Sequence, residues 1–335
     1  MCIVCRPAHA GEAKGRLVVN LCGDITLAGT ADEILLQTGY GFAFDEIREL
    51  LKSGNVNFAN LEGPVTERGD KADKKYTYRM KKEALEAVKD AGFNLLSVAN
   101  NHILDYGVHG LEDTLKALDE RGLAHAGAGM NVTEARGPAI IKVAGYRVGL
   151  LAYSLTLPEE FYAEGERPGT AFGHMKFIEK DIPEAVKKTD ILIVSFHWGT
   201  ELKNTPNDYQ VELGRKALEL GATIVAGHHP HIAQPVEVGG GGVIFYSLGN
   251  LAFGSYSKSA TRAIIGRVTI EDGRISRVEM APLNTFNEQV YFSSRIIEGP
   301  GASTYMKELS EISAPFGTVI ELRDGSWIAE EKKKR

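Results

Sequence analysis

Cysteine is scarce in this chain: Cys2, Cys5 and Cys22 are all there is in 335 residues, too few for a disulfide framework. The Cys2-x-x-Cys5 pair lacks the second pair of a zinc motif and the βαβ surroundings of a redox motif, so it is assigned no function. Long apolar runs are absent as well, none approaching the ~20 residues that span a bilayer. Nor is there a basic excess. Lys and Arg number 38 against 44 Asp and Glu, a formal net charge of -6, whereas a nucleic-acid binder normally carries a basic face, so no nucleic-acid partner is expected. The one basic run, Lys332-Lys333-Lys334-Arg335, closes the chain and reads as a solvated tail. No repeat or low-complexity linker divides the sequence. What is present, 43% hydrophobic and 24% charged residues, is ordinary for a globular protein with one large core or two modest ones.

The start of the chain is unusual. Ala8-His9-Ala10 before Gly11 is like the small-residue end of a secretory signal, but the charged start and apolar stretch of about 7 to 15 residues that a signal needs are missing. Residues 1–16 are therefore expected to lie outside the fold as a leader remnant or disordered segment. Residues 17–322 are expected to form a single domain, and 323–335 a tail.

Strand-like runs alternate with segments of helical period, which argues for an α/β architecture with partly parallel strands. The first half reads as strands Leu17 to Cys22, Val56 to Leu61 and Leu95 to Ala99, with helices at Phe44 to Lys52, Glu83 to Ala91 and Gly110 to Arg121. A hairpin of Ala139 to Val143 with Val148 to Tyr153 follows. The second half adds a helix near Pro183 to Lys188, the strand Ile191 to Phe196, a helix from Asp208 to Leu220 and the strand Ala222 to Ala226. Two hairpins then follow, around Gly239 to Gly242 and Glu271-Asp272-Gly273. The polar stretches Thr66 to Tyr78 and Pro158 to His174 interrupt the pattern and are expected to be flaps that contact substrate.

Five of the strand-like runs end in a residue type that binds metal: Asp24, Glu62, Asn101-His102, His197, and His229 with His231. Ligands of open α/β sheets bind beyond the carboxyl ends of the strands, so these positions can meet on one rim. Taken singly, several have ordinary readings: Asp24 as a turn residue, Asn101 in an Asx-turn, His197 as a packing histidine. Gly227-His228-His229-Pro230-His231 is harder to explain by packing, because each buried imidazole needs its own hydrogen-bond partner. In an extended segment His229 and His231 share a side, which leaves His228 to a supporting role. An Asn oxygen is a neutral ligand, and His102 beside it could protonate a leaving group if Asp105 held its ring. Arg79, Trp198, Glu201 and Asn250 lie on or near the same rim by motif position and are candidates to touch substrate or support the ligands; for Arg79, which could pair with a substrate carboxylate or phosphate, a plain surface position is the leading reading.

Gly23-Asp24-Ile25, Asn60-Leu61-Glu62-Gly63-Pro64, Ala99-Asn100-Asn101-His102 with Asp105-Tyr106-Gly107, His197-Trp198-Gly199 with Glu201, Gly227-His228-His229-Pro230-His231 and Tyr246-Ser247-Leu248-Gly249-Asn250 together resemble the CapA family of poly-γ-glutamate capsule synthesis proteins. That family belongs to the calcineurin-like metallophosphoesterase superfamily. The resemblance covers roughly residues 17 to 255 and implies a four-layer α/β/β/α sandwich with two mixed sheets. It implies a two-metal site in which Glu62 bridges, Asn101, His197 and His229 complete one metal, and Asp24 and His231 serve the other. His102 matches the catalytic histidine. Three departures stand out: Thr26 where an imidazole is usual, Glu62 where Asp is usual, and Ile103 where an acid usually follows the Asn-His pair.

The function so implied is metal-dependent hydrolysis linked to poly-γ-glutamate capsule synthesis or processing, with His102 as general acid. Two alternatives stay open: a non-catalytic polymer-binding or assembly subunit with a reduced metal site, and a phosphoesterase acting on a small anionic phosphoester. The expected cofactors are two divalent ions, Mn, Fe or Zn, the second held more weakly. The expected partners are an anionic substrate and membrane-bound capsule synthesis proteins, with a location outside the cytoplasm or at a membrane through those partners.

Overall fold

Side-chain alternation along the central strands sorts the apolar residues into layers. In the strand Ile191–His197, Ile191 and Ile193 join one buried cluster while Leu192, Val194 and Phe196 join another, so the sheet is covered on both faces. The structure, a computed structural model, describes residues 14–332. The Cys2/Cys5 pair, the small-residue motif at Ala8 to Ala10 and Lys333 to Arg335 lie outside the described residues.

Two mixed sheets pack face to face. One runs in the order Thr318–Arg323, Ser326–Glu331, Arg274–Asn284, Arg262–Glu271, Leu17–Thr26, Val56–Leu61, Leu95–Ser97, Ala124–Ala126. The strand Asn250–Phe253 also pairs with Leu17–Thr26, in parallel. The other sheet runs Val236–Gly239, Gly242–Phe245, Ile224–His228, Ile191–His197, Tyr146–Ser154, Ala139–Val143. Between them lies a core that takes Val19, Leu21 and Phe58 from the first sheet and Val148, Ile193 and Phe245 from the second. Helices Ala31–Thr38, Lys82–Asp90 and Gly107–Glu120 cover the outer face of the first sheet, and Met175–Val186 and Asp208–Glu219 that of the second. The result is the α/β/β/α sandwich that the resemblance implied.

Several elements depart from expectation. The helix Met175–Val186 runs through Pro183 instead of starting beside it. The helix Gly299–Ser313 was not anticipated, and it buries Tyr305, Met306 and Leu309 in the inter-sheet core. The expected tail from residue 323 is instead a hairpin: Asp324 and Gly325 both take positive φ, the turn that matches strand twist, and Ser326–Glu331 pairs with Thr318–Arg323 and Arg274–Asn284. At the other end, Lys14 and Gly15 are not outside the fold, since Gly15 N–H donates to Ala144 and Lys14 pairs with Asp190. Among the described residues no helix is long and apolar enough to cross a membrane.

Candidate metal centre

The first strand changes partners at the point where its carboxylate is presented. Residues 17–21 pair with Arg262–Glu271, while Asp24 to Thr26 pair with Asn250–Phe253, with register shifts on both sides of Asp24. Gly23 makes the crossover possible, because a Cβ there would sit 1.8 Å from the carbonyl oxygen of Gly249. Asp24 N–H donates to that same oxygen at 3.0 Å. Asp24 and Asn250 are thereby brought to one rim.

Asp24 and Glu62 are fully buried, and the amide of Asn60 lies between them. Its Nδ2 donates to Asp24 Oδ1 (2.9 Å) and to Glu62 Oε2 (3.2 Å), and its Oδ1 accepts from Asn100 Nδ2 (3.1 Å). Thr26 donates its hydroxyl to the backbone oxygen of Glu62. Asn60 was not singled out as a site residue, although period-2 spacing puts it on the face of Glu62.

The strands Ile191–His197 and Ile224–His228 run parallel with His197 opposite His228. Beyond them His229 (φ 91°) and His231 (φ 60°) adopt left-handed backbone conformations that non-glycine residues rarely hold. It is this turn, not an extended chain, that points both rings at the centre. His229 lies 4.9 Å from the His197 ring and 6.0 Å from that of His231, centroid to centroid. His228 donates from Nδ1 to Asp24 Oδ1 (2.9 Å), while His231 Nδ1 lies 2.9 Å from Asn250 Oδ1 and 3.5 Å from Asp24 Oδ2.

Asn101 Oδ1 lies 2.8 Å from His197 Nε2, so these two donor atoms face one spot. Glu62 Oε1 borders it, 3.8 Å from His197 Nε2 and 4.0 Å from His102 Nε2. His102 turns its Nδ1 to Asp105 Oδ2 at 2.6 Å. Asp105 in turn accepts from Tyr78 N–H (2.8 Å) and from Lys74 Nζ (2.6 Å), and Lys74 also reaches the backbone oxygen of Asn101. The Tyr78 ring covers that of His102 at 4.6 Å, and Lys74 lies 5.2 Å over Phe161. The first expected flap therefore meets the dyad directly, and the second reaches it only through Lys74. Lys74 escaped the sequence reading, because nothing in a loop rich in lysines marks which one turns inward.

Burial decides most of the titration. It pushes the Glu62 carboxyl well above the usual range, aided by the charge of Asp24. Burial opposes ionisation of Asp24 too, but hydrogen bonds from His228 and His231 prevail and hold it well below the usual value. The His197 imidazole is pushed well down by burial and by neighbouring histidines, and His229 falls to about 3 by burial and the charge of His231. His231 rises to about 9, its bond to Asp24 and the charge of Glu62 outweighing burial. His102 moves down by burial, against the pull of Asp105.

The donor set fits a divalent cation. Glu62 Oε1 and His229 Nδ1 are buried without a hydrogen-bond partner, a costly state that a cation would relieve. Ligand atoms of Asp24, Glu62 and His197 lie within 4.8 Å of one another, as do those of Glu201, His229 and His231. This grouping differs from the expected one, which set Asp24 and Glu62 with His231 and left Glu201 in support.

Two further candidates do not stand at the rim. Trp198 does not reach the rim: strand alternation sends it opposite to His197, where it stacks on Phe196 at 4.5 Å and donates Nε1–H to the Tyr246 carbonyl (2.9 Å) under the helices. Arg79 is exposed, and its guanidinium rests 4.5 Å over the Tyr106 ring instead of pairing with the cluster.

Residues 18–255 match the family described as Bacterial capsule synthesis protein PGA_cap. The chain is 33% identical over 272 residues to the PGA biosynthesis protein CapA of Bacillus subtilis (strain 168), covering 80% of this chain and 71% of that protein. It is 34% identical over 278 residues to the capsule biosynthesis protein CapA of Bacillus anthracis, covering 80% and 67%. Among solved structures, the calcineurin-like phosphoesterase YfkN of Bacillus subtilis superposes with a TM-score of 0.50 at 11% identity, over 91% of this chain and 99% of that one, a likeness of fold.

Proposed function

The chain belongs to the bacterial capsule synthesis protein PGA_cap family, and from that premise we propose that it is a metal-dependent hydrolase of poly-γ-glutamate capsule synthesis or processing. The observation that carries this reading is the meeting of Asn101 Oδ1 and the unpartnered Glu62 Oε1 at His197 Nε2 (2.8 and 3.8 Å), with that Glu62 oxygen also 4.0 Å from His102 Nε2. Asp24, Glu62, Asn101, His197, His229 and His231 would hold the cations, and mixed oxygen and nitrogen donors suit Mn, Fe or Zn. When bound, such ions lower the pKa of a water and polarise the bond under attack.

The residues around them supply orientation and a proton path. Asp105 accepts from His102 Nδ1, so His102 Nε2 is the atom left facing the cluster and the one at which a proton passes to the leaving group. Lys74 and the Tyr78 N–H hold Asp105 in place, and the Tyr78 ring shields the dyad from water. His228 and Asn60 orient the Asp24 carboxylate. An amide of a γ-linked glutamate polymer and a phosphoester both suit this arrangement. The relatives' names, PGA biosynthesis and capsule biosynthesis proteins, support a proposal in which the anionic polymer is the substrate and membrane-bound capsule synthesis proteins are the partners.

Protein loaded with Mn, Fe or Zn is assayed on a γ-glutamyl peptide and on an aryl phosphate, beside His102→Ala. The expected outcome is turnover by the wild type and a loss of ~10²–10⁴-fold in the variant with metal content unchanged. Turnover of neither compound, with poly-γ-glutamate still bound, overturns the hydrolase reading in favour of a polymer-binding subunit.

A further inference from the structure

Glu201 stands apart from the buried carboxylates. It is exposed, in a turn that follows Trp198, yet its carboxylate lies within 4.8 Å of ligand nitrogens of both His229 and His231. The turn that carries it is held on two sides. Gly199 takes φ 93° and donates its N–H to the Tyr209 hydroxyl (2.6 Å), and Leu202 N–H donates to the Pro230 carbonyl (2.9 Å), between the two histidines. Glu201 is thus tied to the same His-Pro-His loop whose rings it faces.

A second observation concerns the His229 ring. His229 Nδ1 is buried and has no hydrogen-bond partner. Resting on the reading of a metal centre, we propose that Glu201 is a direct ligand of a divalent cation held with His229 and His231. The centre then has two unlike positions. Asp24, Glu62 and His197 make a fully buried one, whereas Glu201 makes the other an open one at the mouth, from which a cation exchanges with solvent.

The test is cation binding alone. Apo protein is titrated with Zn or Mn by calorimetry, and bound metal is counted by elemental analysis after dialysis, for wild type, Glu201→Gln and Glu201→Asp. The wild type is expected to bind two classes of cation. Glu201→Gln should weaken the looser class by at least the ~10–100-fold seen for lesser, outer partners of metal ligands, leaving the tighter class intact, and Glu201→Asp should recover part of the loss. Because Glu201 is exposed, the melting temperature of the apo protein should not move. Two unaltered classes in Glu201→Gln overturn the proposal, and so does a single class in the wild type. Two classes of which one depends on Glu201, in a protein that turns over nothing, uphold it while the hydrolase reading fails.

Discussion

Lys74 shows how one residue can be central to a site and invisible in the sequence. Its ammonium pairs with the fully buried Asp105 at 2.6 Å and touches the Asn101 backbone, yet it comes from a loop in which Lys71 and Lys75 look no different. Lys74→Met would leave Asp105 with only His102 and one N–H as partners. The expected cost is near the lower end of the ~3–5 kcal/mol for breaking a buried pair, since Lys74 keeps some solvent contact. Urea denaturation of the apo protein measures it, and a change under ~1 kcal/mol would show that the pair is solvated like a surface ion pair. Asn60 and Trp198 make the complementary point. Both directions follow from strand alternation, Asn60 to the side of Glu62 and Trp198 away from His197, so both were legible from residue spacing had alternation been given more weight than motif proximity.

At the scale of elements, the site depends on strands that approach more closely than side chains allow. Gly23 against Gly249 and Gly227 against the Tyr246 carbonyl, where a Cβ would lie 2.0 Å from the oxygen, are positions at which backbone meets backbone. Gly23→Ala must push Asn250–Phe253 away from Leu17–Thr26. A loss of about 3 kcal/mol or more is expected from overpacking, together with weaker cation binding, because Asn250 and Asp24 share His231. Thermal melting and metal titration report the two effects, and an alanine variant with wild-type melting and affinity would show that the crossover tolerates a Cβ. The elements after residue 284 were the least legible in the sequence. The helix Gly299–Ser313 and the hairpin after it lack a motif, and their apolar residues gain meaning only once the inter-sheet core they close is known.

For the molecule as a whole, the centre joins the two sheets: Asp24 and Glu62 come from or follow strands of one, and His197 and His228 end strands of the other. A cation bound there should therefore act as a clamp on the whole sandwich. At a hundredfold excess over its dissociation constant it should add about 2.7 kcal/mol to the unfolding free energy, and a chelator should remove that increment. Differential scanning calorimetry with and without chelator gives the answer, an unchanged melting temperature being the result that rules the clamp out.

The sequence alone determined the α/β alternation, the helix-covered strands and the five strand ends that present Asp24, Glu62, Asn101-His102, His197 and the His229/His231 pair. Period and ligand chemistry are local properties, and parallel strands send their carboxyl ends to one rim whatever the loops do. Tertiary structure decided which donors face which. The left-handed turns at His229 and His231, the inward Lys74 and the approach of Glu201 all follow from contacts between segments far apart in the chain. No spacing encodes such contacts, because their energies exist only after the two sheets have packed.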